Sequence, residues 1–184
     1  AAGIPTSTQF FGARAAAEIV ESYGHPRLIV ANNVFAHIPD MHDFTEGIAI
    51  LANNETVVTI ENPSFTELLQ NTLFDTIYHE HYSYLTAHSV RQIARAHDLE
   101  LVHVDHLSTH GGSNRYWLSK SQSPDDSVLE TLQAESKAGL FDPTMWRVFA
   151  QESLAAIDGL RNWFLGRRDE GAVVAGYGAA HKGN

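Results

Sequence analysis

The apolar positions along the chain switch between two periods, and the switching outlines a sheet with helices packed beside it. Over residues 9–23, "QFFGARAAAEIVESY", apolar side chains recur at helical spacing and the pattern stops at Gly24. "RLIVANN" (27–33) is a short β-branched run ending in two asparagines, which predicts a buried strand entering a loop. Asp40 is placed to cap "MHDFTEGIAILAN" as the next helix, because a short carboxylate ahead of an apolar-periodic run accepts the first free N–H groups. "ETVVTIEN" (55–62) predicts a second buried strand closed by Pro63, and "PSFTELLQN" a short helix with the proline in its first turn. Strand and helix alternating at these lengths point to a parallel α/β sheet.

Further along, "SVRQIARAHDL" (89–99) has the pattern of an amphipathic helix. "ELVHVDHL" and "NRYWLSK" then read as two strands separated only by "STHGGS", a connection short enough to imply an antiparallel pair. The composition changes after this hairpin. "SQSPDDSVLETLQAESKAGL" is polar and helical, and "DPTMWRVFAQESLAAIDGLRNWFLGRR" predicts a long helix whose Leu/Ile/Trp/Phe stripe is expected to be core. "GAVVAGYGAAHKGN" reads as a strand leading into a glycine turn. The shift in composition divides the chain into 1–122 and 123–184.

With 184 residues, 43% hydrophobic and 18% charged, the chain has enough apolar material for a core. No apolar run approaches the roughly 18–20 residues needed to span a bilayer, so a membrane partner is not expected. A net charge of −10 argues against nucleic acid, which is bound by basic surfaces that release counterions. Cysteine is absent, so these residues hold no disulfide framework and no thiolate metal site, in keeping with a cytoplasmic location.

The chemistry concentrates in "FDTIYHEHYSYL" (74–85), which gathers Tyr78, Tyr82, Tyr84, His79, His81 and Glu80. A histidine beside a glutamate forms a general base whose carboxylate orients the ring. Phenols nearby donate to a developing oxyanion. The combination suits removal of a proton next to a carbonyl. If the segment is extended, alternation places Tyr78, Glu80, Tyr82 and Tyr84 on one side and His79, His81 and Ser83 on the other. The simpler reading is a set of packing tyrosines and surface histidines. A metal reading through His79 and His81 lacks the helical i, i+4 spacing of the metalloprotease motif. His103 and His106, on a predicted strand, read as structural.

Four stretches carry a resemblance: "ANNVFAHIPDMHDF", "FDTIYHEHYSYL", "LSTHGGSNRYWL" and "GYGAAHKGN", in that order. Together they resemble the S-adenosylmethionine-dependent sugar C-methyltransferases that act on nucleotide-linked 4-keto-deoxysugars. A sheet that ends in a late hairpin also follows the class I methyltransferase pattern, although several α/β folds end similarly. The resemblance implies the C-terminal part of a class I (Rossmann-like) methyltransferase sheet, followed by the start of a second α/β domain of nucleotide-binding type. It also implies an N-terminal zinc-binding module, of which this chain carries no part, so the chain reads as an internal fragment. Carried over, His81 is the base that takes the C3 proton, with Glu80 and Tyr78 positioning sugar and base. His37 stands near the ketone, and Asn33 near the sulfonium of S-adenosylmethionine. Tyr82, His110, Arg115, Tyr177 and Lys182 line the sugar-nucleotide site. Two other readings stay open: a non-catalytic sugar-nucleotide-binding fragment, and an oxidoreductase with "GYGAAHKGN" as a dinucleotide turn.

Overall fold

In the computed structural model, which describes residues 3–176, the first helix is α1 (Ala13–Tyr23), ended by Gly24 with φ 76°. Strand β1 (Leu28–Asn32) leads through a 3-10 turn at Phe35–His37 into α2 (Met41–Leu51). Asp40 caps α2 as its position predicts, accepting from the N–H groups of His42 and Asp43. The Asp43 carboxylate reaches back to the first N–H of α1, at Ala13, 3.1 Å away. Gly47 lets the two helices meet: a Cβ there would stand 2.7 Å from the backbone carbon of Gly12.

Strand β2 (Val57–Pro63) includes the proline, and α3 (Phe65–Gln70) starts two residues later, behind the Ser64 cap. Pro63 therefore ends the strand and does not occupy the first turn of the helix. A proline at the last position of a strand withholds one N–H where the ladder is ending anyway. After α4 (Ala87–Arg95) come β3 (Glu100–Leu107) and β4 (Ser113–Ser119), then α5 (Asp126–Lys137) and α6 (Pro143–Asp169).

The four strands form one sheet in the order β1-β2-β4-β3. β1 and β2 are parallel; β4 enters antiparallel between β2 and β3. The late hairpin read from the sequence is thus present, folded back into the middle of the sheet. Val58 and Ile60 of β2 and Tyr116 and Leu118 of β4 are buried against α2, α4 and α5. A bulge between Leu101 and His103 shifts the register of β3 against β4, so that Leu101 pairs with Leu118 and Val104 with Tyr116 in the same cluster.

The alternate positions carry polar groups. Glu61, Arg115 and Asp105 pair in one cross-strand row, with Thr59, Trp117 and His103 in the next. Arg115 donates to Glu61 at 2.8 Å, and the Trp117 indole donates to Asp105 at 2.8 Å. His103 lies between Asp125 (2.6 Å) and Asp105 (3.1 Å), and hydrogen bonding to Asp125 first, then Asp105, raises its pKa. Asp105 is lowered chiefly by the Trp117 indole, and Asp125 chiefly by the Ser127 hydroxyl.

Glu135 of α5 is a buried carboxylate that accepts from the N–H groups of Ala87 and His88 and from the His88 ring at 2.7 Å. It therefore caps the start of α4 from another helix.

The stripe on α6 departs from expectation. Met145 and Phe149 pack with α3 through Leu68 and Leu69, but Leu154, Ile157, Leu160, Trp163 and Phe164 are exposed. They are not core among the described residues, because no described element covers that half of the helix. Among the described residues the strand expected from "GAVVAG" is also not formed: 172–176 carry no strand, and Val173 is 98% exposed.

Glu135→Ala is expected to cost about 3 kcal/mol, since it strips charged hydrogen bonds from two N–H groups at the start of α4; urea unfolding measures it, and Glu135→Gln should lose less. For His103 the raised folded pKa means its stabilisation is complete below the free-imidazole value of ~6.5 and is lost as pH rises through the folded pKa. The lowered Asp105 and Asp125 act oppositely, losing theirs as pH falls through their depressed values. The melting temperature should thus fall as pH rises above ~6.5, and His103→Gln should flatten that limb of the profile.

Candidate functional site

Both parallel strands carry asparagine at or just beyond their C-terminal ends, and the site is built where they end. Asn33 leaves β1 with φ 52°, a left-handed conformation that asparagine tolerates better than most residues, and its N–H donates to the Glu61 carbonyl at 2.7 Å. Ala36 follows in the 3-10 turn. Its N–H donates to the Asn62 side chain at 3.3 Å, and its carbonyl accepts from the N–H groups of Tyr82 (2.9 Å) and Ser83 (3.2 Å). The ring-rich segment is held against the ends of the strands by these bonds.

Within that segment the strand-like alternation is broken. The His81 N–H closes a turn on the Tyr78 carbonyl at 3.1 Å, which brings residues three apart to the same side. The Tyr78 and His81 ring centroids are 4.4 Å apart, and those of His37 and His81 are 4.9 Å apart. Tyr84 meets the His81 ring edge-on at 5.9 Å, and burial raises its pKa, so the phenol keeps its proton.

Backbone carbonyls set the tautomers of both imidazoles. A carbonyl only accepts, so the His81 Nδ1, 3.0 Å from the Thr76 oxygen, carries the proton in the neutral ring and leaves the basic lone pair on Nε2. The His37 Nδ1 donates likewise to the Glu80 carbonyl at 2.8 Å. At Nδ1 the partner of His81 is therefore a peptide oxygen, and the backbone carbonyl of Glu80 holds His37.

A cavity of about 610 Å³ lies here, lined in part by Asn33, His37, Tyr78, His81 and His110. His110 sits in a 3-10 turn with φ 54°, followed by Gly111, where a Cβ would stand 2.7 Å from Leu73 in the same wall. Five residues named from the sequence are thus brought together. Tyr82 is 64% exposed and does not line the cavity. Arg115 lies on the polar face of the sheet, paired with Glu61, and does not line it either. Tyr177 and Lys182 lie outside the described residues. Sequence reasoning missed Thr76 and Asn62. A peptide oxygen leaves no mark in a sequence, but Asn62 had one: it is a polar residue at the end of a buried parallel strand, where ligands gather.

Among the described residues no three His, Asp or Glu side chains are grouped to hold a metal, and no helix is long and apolar enough to cross a membrane.

Comparison with known proteins agrees with this architecture. A model of the methyltransferase domain matches residues 5–104, and one of the C-methyltransferase C-terminal domain matches 108–184. C-methyltransferase NovU of Streptomyces niveus is 33% identical over 99% of this chain, which spans 44% of that relative's length. The crystal structure of a SAM-dependent methyltransferase from Anabaena variabilis superposes with a TM-score of 0.50 at 15% identity, over 65% of this chain and 59% of that one. The likeness shows a shared fold. With a methyltransferase-domain match over more than half its length, the chain belongs to the methyltransferase family.

Proposed function

We propose that this chain forms the acceptor side of a C-methyltransferase that methylates C3 of a nucleotide-linked 4-keto-deoxysugar, with His81 as the base. The observation that carries the reading is the placement of the His81 ring: Nδ1 donates to the Thr76 carbonyl, and the ring stands in the wall of the cavity that Tyr78 and His37 share. A C–H beside a ketone is too weak an acid for imidazole unless donors hold the enolate oxygen. Nε2 takes the C3 proton, the C–H electron pair becomes the carbon–carbon double bond of the enolate, and charge moves to oxygen. His37 stands on the ketone side of this arrangement, and the Tyr78 phenol positions the sugar against the base. Glu80 supports the pair through the carbonyl that holds His37.

Asn33, turned out of β1 at the cavity wall, would stand near the sulfonium group of S-adenosylmethionine. That group, when bound, supplies an electrophilic methyl. In this reading residues 1–122 are part of the methyltransferase domain, and 123–184 are a helical connection into a C-terminal domain. The NovU relationship supports C-methylation, and the keto-sugar substrate rests on the four motifs.

Incubation of the full-length protein in D₂O with a nucleoside-diphosphate 4-keto-6-deoxysugar tests the base. NMR should show the C3 proton exchanging, and His81→Asn should slow the exchange by about 10²–10⁴-fold, the usual worth of a positioned base. A folded, substrate-bound wild type that exchanges no C3 proton, with S-adenosylmethionine present or absent, rejects the reading.

A further inference from the structure

Asn62 is the penultimate residue of β2, has no exposed surface, and forms part of the wall of the same cavity. Its Oδ1 accepts from the Ala36 N–H. That bond fixes which way the carboxamide is turned, because a backbone N–H requires the oxygen and not the amino group opposite it. The Nδ2 group then points away from Ala36, and it has no hydrogen-bond partner among the described residues. A buried N–H donor without an acceptor is costly, and a leucine would fill similar space without that cost. The position therefore has the mark of a donor awaiting a ligand.

We infer that Asn62 Nδ2 donates to the ketone oxygen of the bound substrate and stabilises the enolate oxygen, which makes Asn62 a catalytic residue; the inference rests on the enolisation reading above. Three features favour that ligand atom. The oxygen is an acceptor, as the unpaired donor requires. Asn62 is tied through Ala36 to the 3-10 turn that carries His37 and to the segment that carries His81, so donor and base share one frame. And a ketone accepts weakly while its enolate accepts strongly, so the bond tightens as the reaction proceeds. A cation in this place would also hold the enolate, but it would depress the basicity of the nearby imidazole. A neutral carboxamide stabilises the oxygen without that penalty. Asn62 moves no proton: the proton goes to His81 Nε2 and the charge to the oxygen that Asn62 faces.

The experiment uses the full-length protein and the same 4-keto sugar nucleotide in D₂O. Asn62→Leu should slow C3 exchange by about 10²–10³-fold, the usual loss for one oxyanion donor, with S-adenosylmethionine affinity unchanged. In wild-type protein labelled with ¹⁵N-asparagine, the Asn62 side-chain amide resonance should shift on adding the keto sugar nucleotide. It should not shift on adding the nucleoside diphosphate alone. The labelled measurement stands even where the variant fails to fold. Exchange near the wild-type rate in Asn62→Leu, or an amide resonance that the sugar does not move, overturns the inference. If His81→Asn abolishes exchange while Asn62→Leu retains it, the base assignment survives and the role of Asn62 falls. If the wild type does not exchange, both fall together.

Discussion

The backbone of Ala36 is the point on which the site depends. Its N–H and carbonyl lie in one 3-10 turn, yet they bind two other segments: the end of β2 through Asn62, and the ring-rich loop through Tyr82 and Ser83. These bonds use groups that every residue but proline possesses, so they set position without consuming reactive side chains. The side chains of the loop can then be chosen for chemistry. The same economy applies to the two imidazoles, whose Nδ1 atoms rest on the carbonyls of Thr76 and Glu80. A peptide oxygen orients a histidine without consuming a second side chain.

Much of the architecture was legible because it follows from local rules. Alternating periods gave β1, α2, β2 and α4, the Asp40 cap was visible as a carboxylate ahead of an apolar run, and the short "STHGGS" connection implied the antiparallel pair. Local rules failed where tertiary contacts decide. The placement of β4 between β2 and β3 depends on which edge receives it. Glu135 looks like an ordinary surface residue on a polar helix, yet it is buried as the cap of α4. The stripe of α6 has the pattern of a core helix, and a pattern records what a face can bury, not what covers it.

The site divides in the same way. Tyr78 and His81 were found from the chemistry gathered in one segment, and Asn33, His37 and His110 through the resemblance that their motifs carry. Assuming an extended segment put Tyr78 and His81 on opposite sides, and one turn closed by the His81 N–H reverses that. Arg115 was named through the resemblance, while its position on β4, opposite Glu61, assigns it to the polar face of the sheet. Asn62 resembled strand-end punctuation, and only burial and an unpaired amide set it apart.

The order of strands in the sheet also bears on how the chain is made. β4 is the last of the four strands to leave the ribosome, yet it occupies an inner position between β2 and β3. Until Ser119 has been synthesised, β2 exposes one unpaired edge and β3 lacks the neighbour that ties it to the sheet. An open, apolar edge is a template for pairing with other chains. The nascent polypeptide is therefore most vulnerable to aggregation during a defined interval, between completion of β2 and insertion of β4. A pause in translation within "STHGGS" would lengthen that interval, and rapid decoding through β4 would shorten it.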